Sequence, residues 1–244
     1  MAQKGFCEVV LTGIHLASYG KDLKNAELSD VIRAVAEIGG ISRIRLGSLE
    51  PRVLTEEFIR KIADTKKVCN HFHISLQSGC NETLKRMNRK YTAAEYENSV
   101  KLLRKYFDNP AIATDIMVGF PGETDEEFDK SLAFAEKIAF ADAHVFSYSN
   151  RRGTKADVME NQIDPKVKEV RHKAMESTVA RLKSKYLEGM TGKKLSVLFE
   201  QEISDGVYEG TAENYAKVVM KSNTDISKKC ISVKIIKAEN GLLT

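Results

Sequence analysis

The stretch Ala113 to Phe128, ATDIMVGFPGETDEEF, decides the fold. It opens as an apolar run, turns through Gly119-Phe120-Pro121-Gly122 and resumes as an acidic helix start, with Thr124 and Glu127 at capping-box spacing. A buried strand therefore ends in a tight turn that leads into a helix. The two glycines of that turn offer no side chain, so its backbone can approach a flat ligand closely. Asp115 lies inside the apolar run, where an ionised carboxylate is costly unless it is paired or at work. An ordinary βα corner has the same pattern, so the neighbouring segments must decide between the two readings.

The same unit recurs on both sides. Strand-like runs are Glu8–Thr12, Arg43–Gly47, Phe72–Leu76, Ile112–Val118 and Ala143–Ser147; helical patterns between them cover Leu28–Ile38, Thr55–Lys66, Thr92–Phe107 and Thr124–Ile138. Gly39-Gly40 is placed to cap the first helix, and Thr92 with Glu95 makes a second capping box. Nearly continuous apolar strands alternating with amphipathic helices imply a parallel sheet covered by helices. Five units are too few to close an eight-stranded barrel, and Gln3-Lys4-Gly5-Phe6 reads as the end of a helix. The expected fold is α/β: a partial TIM-type barrel over residues 1–164, lacking its first βα unit. A polar connection around Arg151–Pro165 leads to a charged helix, 165–188, with Pro165 in its first turn. From 189 to 244 the texture becomes short strands, Leu195–Phe199, Val207–Gly210, Ala216–Met220 and Ile231–Ile236, with hairpin signals at Asp205-Gly206 and Asn240-Gly241. The second part is expected to be a small all-β, OB-like barrel.

Composition excludes several classes. At 42% apolar and 30% charged residues the chain reads as soluble and globular. No apolar run reaches membrane-spanning length, and the segment beginning at Met1 is not a signal peptide. The four cysteines, Cys7, Cys69, Cys80 and Cys230, form no metal-ligand spacing, so no metal site is expected and the thiols read as reduced and cytoplasmic. The net charge of +4 matches the excess of segment 165–188 alone, with seven Lys and Arg against three Glu. A solvated helix face explains such an excess, and so does contact with a nucleic-acid backbone.

In parallel α/β folds the carboxyl ends of the strands carry function. Each run here ends in polar groups: Thr12, Gly13 and His15 in LTGIHLASYG; Ser48 and Glu50 in GSLEP; Gln77, Ser78 and Arg86 in HFHISLQSGCNETLKRMNRKYT; His144, Tyr148 and Arg151 in HVFSYSNRRGT. Arg86 has the guanidinium geometry to grip a ligand carboxylate. Polar rim residues after every strand point to a ligand site. No lysine lies within the five strand-like runs themselves, which argues against a barrel enzyme built on an activated lysine.

In order, the motifs EVVLTGIHLASYG, RIRLGSLEP, HFHISLQSGCNETLKRMNRKYT, TDIMVGFPGET and HVFSYSNRRGT resemble those of the radical S-adenosylmethionine methylthiotransferases. GKKLSVLFEQE, GVYEGTAENYAKVVM and ISVKI resemble the family's C-terminal TRAM domain, a small RNA-binding barrel. LTGIHL with SLEP points to the branch that modifies threonylcarbamoyladenosine in tRNA. The branches acting on isopentenyladenosine or on a ribosomal protein are the alternatives, together with a truncated, non-catalytic RNA-binding module. The resemblance implies S-adenosylmethionine as cofactor, a 4Fe–4S cluster that cleaves it to a radical, and tRNA as partner through the TRAM domain and the basic helix 165–188. It further implies that Ile116, Val118, Gly119, Phe120 and Pro121 form the wall against the adenine of S-adenosylmethionine. Thr12, Gly13, His15, Ser48, Gln77, Ser78 and Arg86 would bind the rest of that cofactor, while Glu50, Asp115, His144 and Tyr148 are catalytic candidates. The family's CxxxCxxC cluster loop and its N-terminal domain are not found in these residues. Asn150, Arg152 and Lys155 stand where relatives often carry proline. The chain alone is therefore expected to be inactive, as a part of a larger enzyme.

Overall fold

The β-branched runs form five parallel strands and the amphipathic segments form the helices beside them. A computed structural model describes residues 2–20, 22–23 and 26–244. Met1, with which the segment read as no signal peptide begins, lies outside them. The order is β1 (Glu8–Leu11), α1 (Leu28–Glu37), β2 (Arg43–Leu46), α2 (Glu56–Ala63), β3 (His71–His73), α3 (Asn81–Arg86), α4 (Ala93–Tyr106), β4 (Ala111–Val118), α5 (Asp125–Ile138) and β5 (Asp142–Ser147). β1 pairs with β2, and β3, β4 and β5 pair in sequence, all parallel. The Leu49–Ile74 bridge, with Leu49 N–H donating to His73 O at 2.8 Å, joins the two sets. Both capping boxes expected from sequence are formed: Thr92 and Thr124 accept from the backbone N–H of Glu95 and Glu127, each at 3.2 Å. Gly39-Gly40 does not cap α1 in the expected way. The helix ends at Ile38 in extended backbone, and the left-handed residue is Gly40, at φ +90°.

Side chains alternate across the strands, which sorts their chemistry onto two faces. Ile44, Leu46, Phe72, Ile74, Ile112, Ile116 and Val118 pack with the helices into one core. Arg45, His71, His73, Ala111, Ala113 and His144 face a cavity on the opposite side. α6 (Pro165–Glu188) is more than a connector: its Met175 and Val179 belong to the core of the parallel layer, while Leu187 belongs to a second core.

That second core lies under a six-stranded mixed sheet of β6 (Lys194–Ser204), β7 (Val207–Ala212), β8 (Lys217–Lys221), β9 (Cys230–Lys234), β10 (Ala238–Glu239) and β11 (Leu242–Leu243), in the order β10-β11-β8-β7-β6-β9. β6 is longer than the sequence suggests and is bulged twice against β7. Asn240-Gly241 does turn a hairpin, and the short β11 runs parallel to β8. No described helix is long and apolar enough to cross a membrane.

Candidate active site

The rim residues of β1 and β2 stand together because those strands are neighbours. Thr12, Gly13 and Ser48 are exposed, and among the described residues neither hydroxyl is engaged in a hydrogen bond. His15 Nε2 lies 3.0 Å from Glu50 Oε1, joining two loops 35 residues apart. This pair offers a carboxylate and an imidazole to whatever sits on the rim.

The Gly119–Glu123 turn has a different character from the one its glycines suggest. Gly119 and Gly122 adopt φ of +71° and +76°, which explains glycine at both. However, a methyl group at Gly119 would overlap Lys168 Cγ of α6, and one at Gly122 would press on Arg86 Nε at 3.3 Å. The space left by the missing side chains is filled by the protein itself rather than left for a flat ligand. Ile116, Val118, Phe120 and Pro121 are buried, and Phe120 meets Tyr148 edge-to-face at 5.2 Å. Among the described residues the buried Tyr148 hydroxyl has no partner. Glu123 locks the turn: its carboxylate accepts from Gly119 N–H at 2.7 Å and from Arg171 Nη1 at 2.9 Å. Burial nonetheless pushes its pKa up, against those interactions.

Of three further residues expected at the cofactor, Ser78 and Arg86 spend their side chains on structural bonds and Gln77 its backbone. Ser78 is fully buried and its Oγ lies 2.9 Å from Ser131 Oγ. Gln77 is held at φ +71° with its N–H on Asp115 O and its O on Met117 N–H, so it bridges β4. Arg86 gives its guanidinium to both oxygens of Glu127, to Thr83 and to Pro121 O. It is not free to grip a ligand carboxylate as the sequence suggests. Burial raises the pKa of Glu127, but Arg86, the Thr124 N–H and the Thr83 hydroxyl together outweigh it and hold the carboxyl below its ordinary value.

The cavity face of the strands brings Asp115 and His144 together and adds residues that sequence reading missed. His73 Nε2 is 3.4 Å from Asp115 Oδ1, and Asp115 sits directly opposite His144 across β4 and β5. The His73 hydrogen bond keeps the Asp115 carboxyl below its usual range. Ser48 and His144 line a cavity of about 440 Å³ with His71, His73 and Arg45. Its other end is closed by Asn214 and Tyr215, from the β7–β8 loop of the second sheet. Tyr215 is held between the His71 ring, stacked at 4.7 Å, and the Arg45 guanidinium at 4.8 Å. The alternation HFH in β3 was the available signal, since it places two histidines on one face.

The joint between the two sheets is charged and buried. Arg43 and Arg45 share Glu8, with Arg43 Nη2 at 2.6 Å and Arg45 Nε at 3.1 Å. They also donate to the carbonyls of Ser196 and Thr211, and of Ala212 and Glu213, respectively. The basic excess of α6 is likewise used internally. Arg171 pairs with Glu123 and Asp125, Lys173 with Glu169, Arg181 with Glu136 and Lys183 with Asp142, while Lys168 donates to Tyr148 O. Lys166 and Lys185 alone remain without an acidic or carbonyl partner among the described residues.

Residues 3–135 match the model of the radical SAM superfamily. The chain is 36% identical over 243 residues to the threonylcarbamoyladenosine tRNA methylthiotransferase MtaB of Bacillus subtilis, covering 98% of this chain and 54% of that protein. It is also 36% identical over 238 residues to the tRNA-2-methylthio-N(6)-dimethylallyladenosine synthase of Acetivibrio thermocellus, covering 96% and 50%. The chain thus spans about half the length of these relatives. Among solved structures, the coproporphyrinogen III oxidase of Escherichia coli superposes with a TM-score of 0.57 at 15% identity, covering 72% of this chain and 40% of the other. Methylornithine synthase gives 0.50 at 16% identity over 73% and 48%.

Proposed function

The chain belongs to the radical SAM superfamily, and on that premise we propose that it is part of a tRNA methylthiotransferase that adds a methylthio group to the adenine ring of threonylcarbamoyladenosine beside the anticodon. One observation carries the reading: similarity to tRNA-modifying relatives runs through 98% of the chain, across both the parallel layer and the second sheet. The five strands would be part of a TIM-type barrel and residues 189–244 an RNA-binding TRAM barrel. S-adenosylmethionine would lie at the rim, where the uncommitted hydroxyls of Thr12 and Ser48 and the orphaned Tyr148 hydroxyl fit a polar ligand. It supplies the group chemistry, while this chain's part is to bind it through Thr12, Gly13 and Ser48 and to orient it by the His15–Glu50 pair. Asp115, with His73, offers a carboxylate held ionised beside the substrate.

The cysteines do not fit an iron–sulfur cluster, whose ligands must be thiolates. Cys80 donates to Glu82 at 2.8 Å, Cys69 is buried near Glu8, and Cys7 faces Cys230. Among the described residues no three metal-ligating side chains converge. We therefore assign the cluster to residues beyond these 244, and the chain reconstituted with iron and sulfide should show no cluster absorbance.

Deleting the gene and digesting total tRNA to nucleosides tests the function. Loss of the methylthio form of threonylcarbamoyladenosine, with its precursor accumulating, is expected. Loss of methylthio-dimethylallyladenosine instead would establish the sister reaction, to which relatives of equal identity belong. An unchanged nucleoside profile would rule out both.

A further inference from the structure

The cavity behind the rim contains polar atoms that no described residue satisfies. Among the described residues His73 Nδ1 and His71 Nδ1 are buried without a partner. The other Nε2 edge of His73 is turned to Asp115, which fixes the ring and aims Nδ1 elsewhere. His144, paired with Asp115 across the strands, is exposed to the same cavity. The cavity's stronger charges are already spent. Arg45 is held by Glu8 and two carbonyls, Lys183 by Asp142 at 2.8 Å, and Lys217 by Glu200 at 3.1 Å. The imidazoles and the Ser48 hydroxyl are what remains to meet a guest. A buried polar atom without a partner is costly, so this cavity favours a guest that brings hydrogen-bonding groups.

Sequence identity does not say which adenosine is modified, since relatives named for the threonylcarbamoyl and for the dimethylallyl nucleoside are both 36% identical. The chemistry of the two substituents differs sharply. Threonylcarbamoyl carries ureido N–H groups, a hydroxyl and a carboxylate; dimethylallyl is a hydrocarbon. Resting on the tRNA reading above, we propose that His73, oriented by Asp115, and His144 are specificity residues that accept the polar threonylcarbamoyl substituent in this cavity and reject the dimethylallyl one. A hydrocarbon there would strip water from the imidazoles and return no hydrogen bond. A site built to hydrogen-bond its substrate discriminates strongly against an analogue that lacks the partner group.

The test uses this chain and three anticodon stem–loop RNAs of one sequence. They carry adenosine, threonylcarbamoyladenosine or dimethylallyladenosine at the position following the anticodon, and binding is read by fluorescence anisotropy. The threonylcarbamoyl RNA should bind at least about tenfold more tightly than the dimethylallyl RNA. His144→Leu, at an exposed position, should bring that ratio below about threefold, and His73→Leu should do the same if its thermal transition shows it folded. Equal or reversed preference in the wild-type chain overturns the inference, and so does a preference that survives His144→Leu. If none of the three RNAs binds, the tRNA reading itself falls and this inference with it; if all bind alike, only the inference falls.

Discussion

At His71 a ring that titrates near neutrality in water is held neutral by what covers it. Burial first, then the charge of Arg45, depresses its pKa to about 3. As pH falls the unfolded chain, whose histidine titrates near 6.5, takes up the proton before the folded one. The ring's contribution is therefore whole above roughly pH 6.5 and is lost on the way down towards about 3, at no more than about 1.4 kcal/mol per pH unit. Urea denaturation at pH 7 and 5.5 should show the wild-type chain losing about 1 kcal/mol more than His71→Asn; equal losses would mean that the ring is solvated. Glu8 is the other residue on which much depends, because one carboxylate serves two buried guanidiniums. Glu8→Gln should cost roughly 3–5 kcal/mol by the same denaturation assay, since it leaves Arg43 and Arg45 buried without a counter-charge. A loss under about 1 kcal/mol would show that the carbonyls of the second sheet suffice.

Among the elements, α6 and the turn before α5 depend on one another. Arg171 clamps Glu123 and Asp125, and Lys168 fills the space beside Gly119. Gly119→Ala faces two separate penalties: a left-handed backbone at φ +71°, about 1–2 kcal/mol for a residue with a Cβ, and overlap with Lys168. Lys168→Ala in the same chain should recover the overlap and leave the backbone strain of about 1–2 kcal/mol. Full recovery would show that the turn relaxes, and no recovery that Lys168 is irrelevant to it. The turn's motif was plain in the sequence, and so was the helix it starts. Its use was not, because the Lys168 and Arg86 side chains that fill it come from 35 or more residues away.

For the whole molecule, the question is whether the second sheet stays docked on the parallel layer. Cys7, before β1, places its Sγ 3.2 Å from that of Cys230 at the start of β9, 223 residues on. Diamide should join them in an intramolecular disulfide, detected by peptide mass mapping and lost in Cys7→Ser. Burial and the neighbouring Cys230 push the Cys7 thiol up to about 11, so the reaction should be slow at pH 7 and quicken as pH rises. Absence of the cross-link in folded chain would mean that the two sheets part in solution.

Local signals were sufficient for the βα alternation, the capping boxes at Thr92 and Thr124 and the hairpins at Gly206 and Gly241, because each rests on residues within a few positions of one another. The rim was legible for the same reason, as each of its residues follows its own strand. The sequence by itself thus determined the fold class and the polar residues that follow each strand. Only the tertiary structure decided that Ser78 and Arg86 are bound into the scaffold, that most basic side chains of α6 have partners within the chain, and that His71 and His73 share a cavity with His144 and Tyr215. Pattern and propensity act over a few residues, whereas partners for a charge or an imidazole are supplied by whichever segments the fold brings against it.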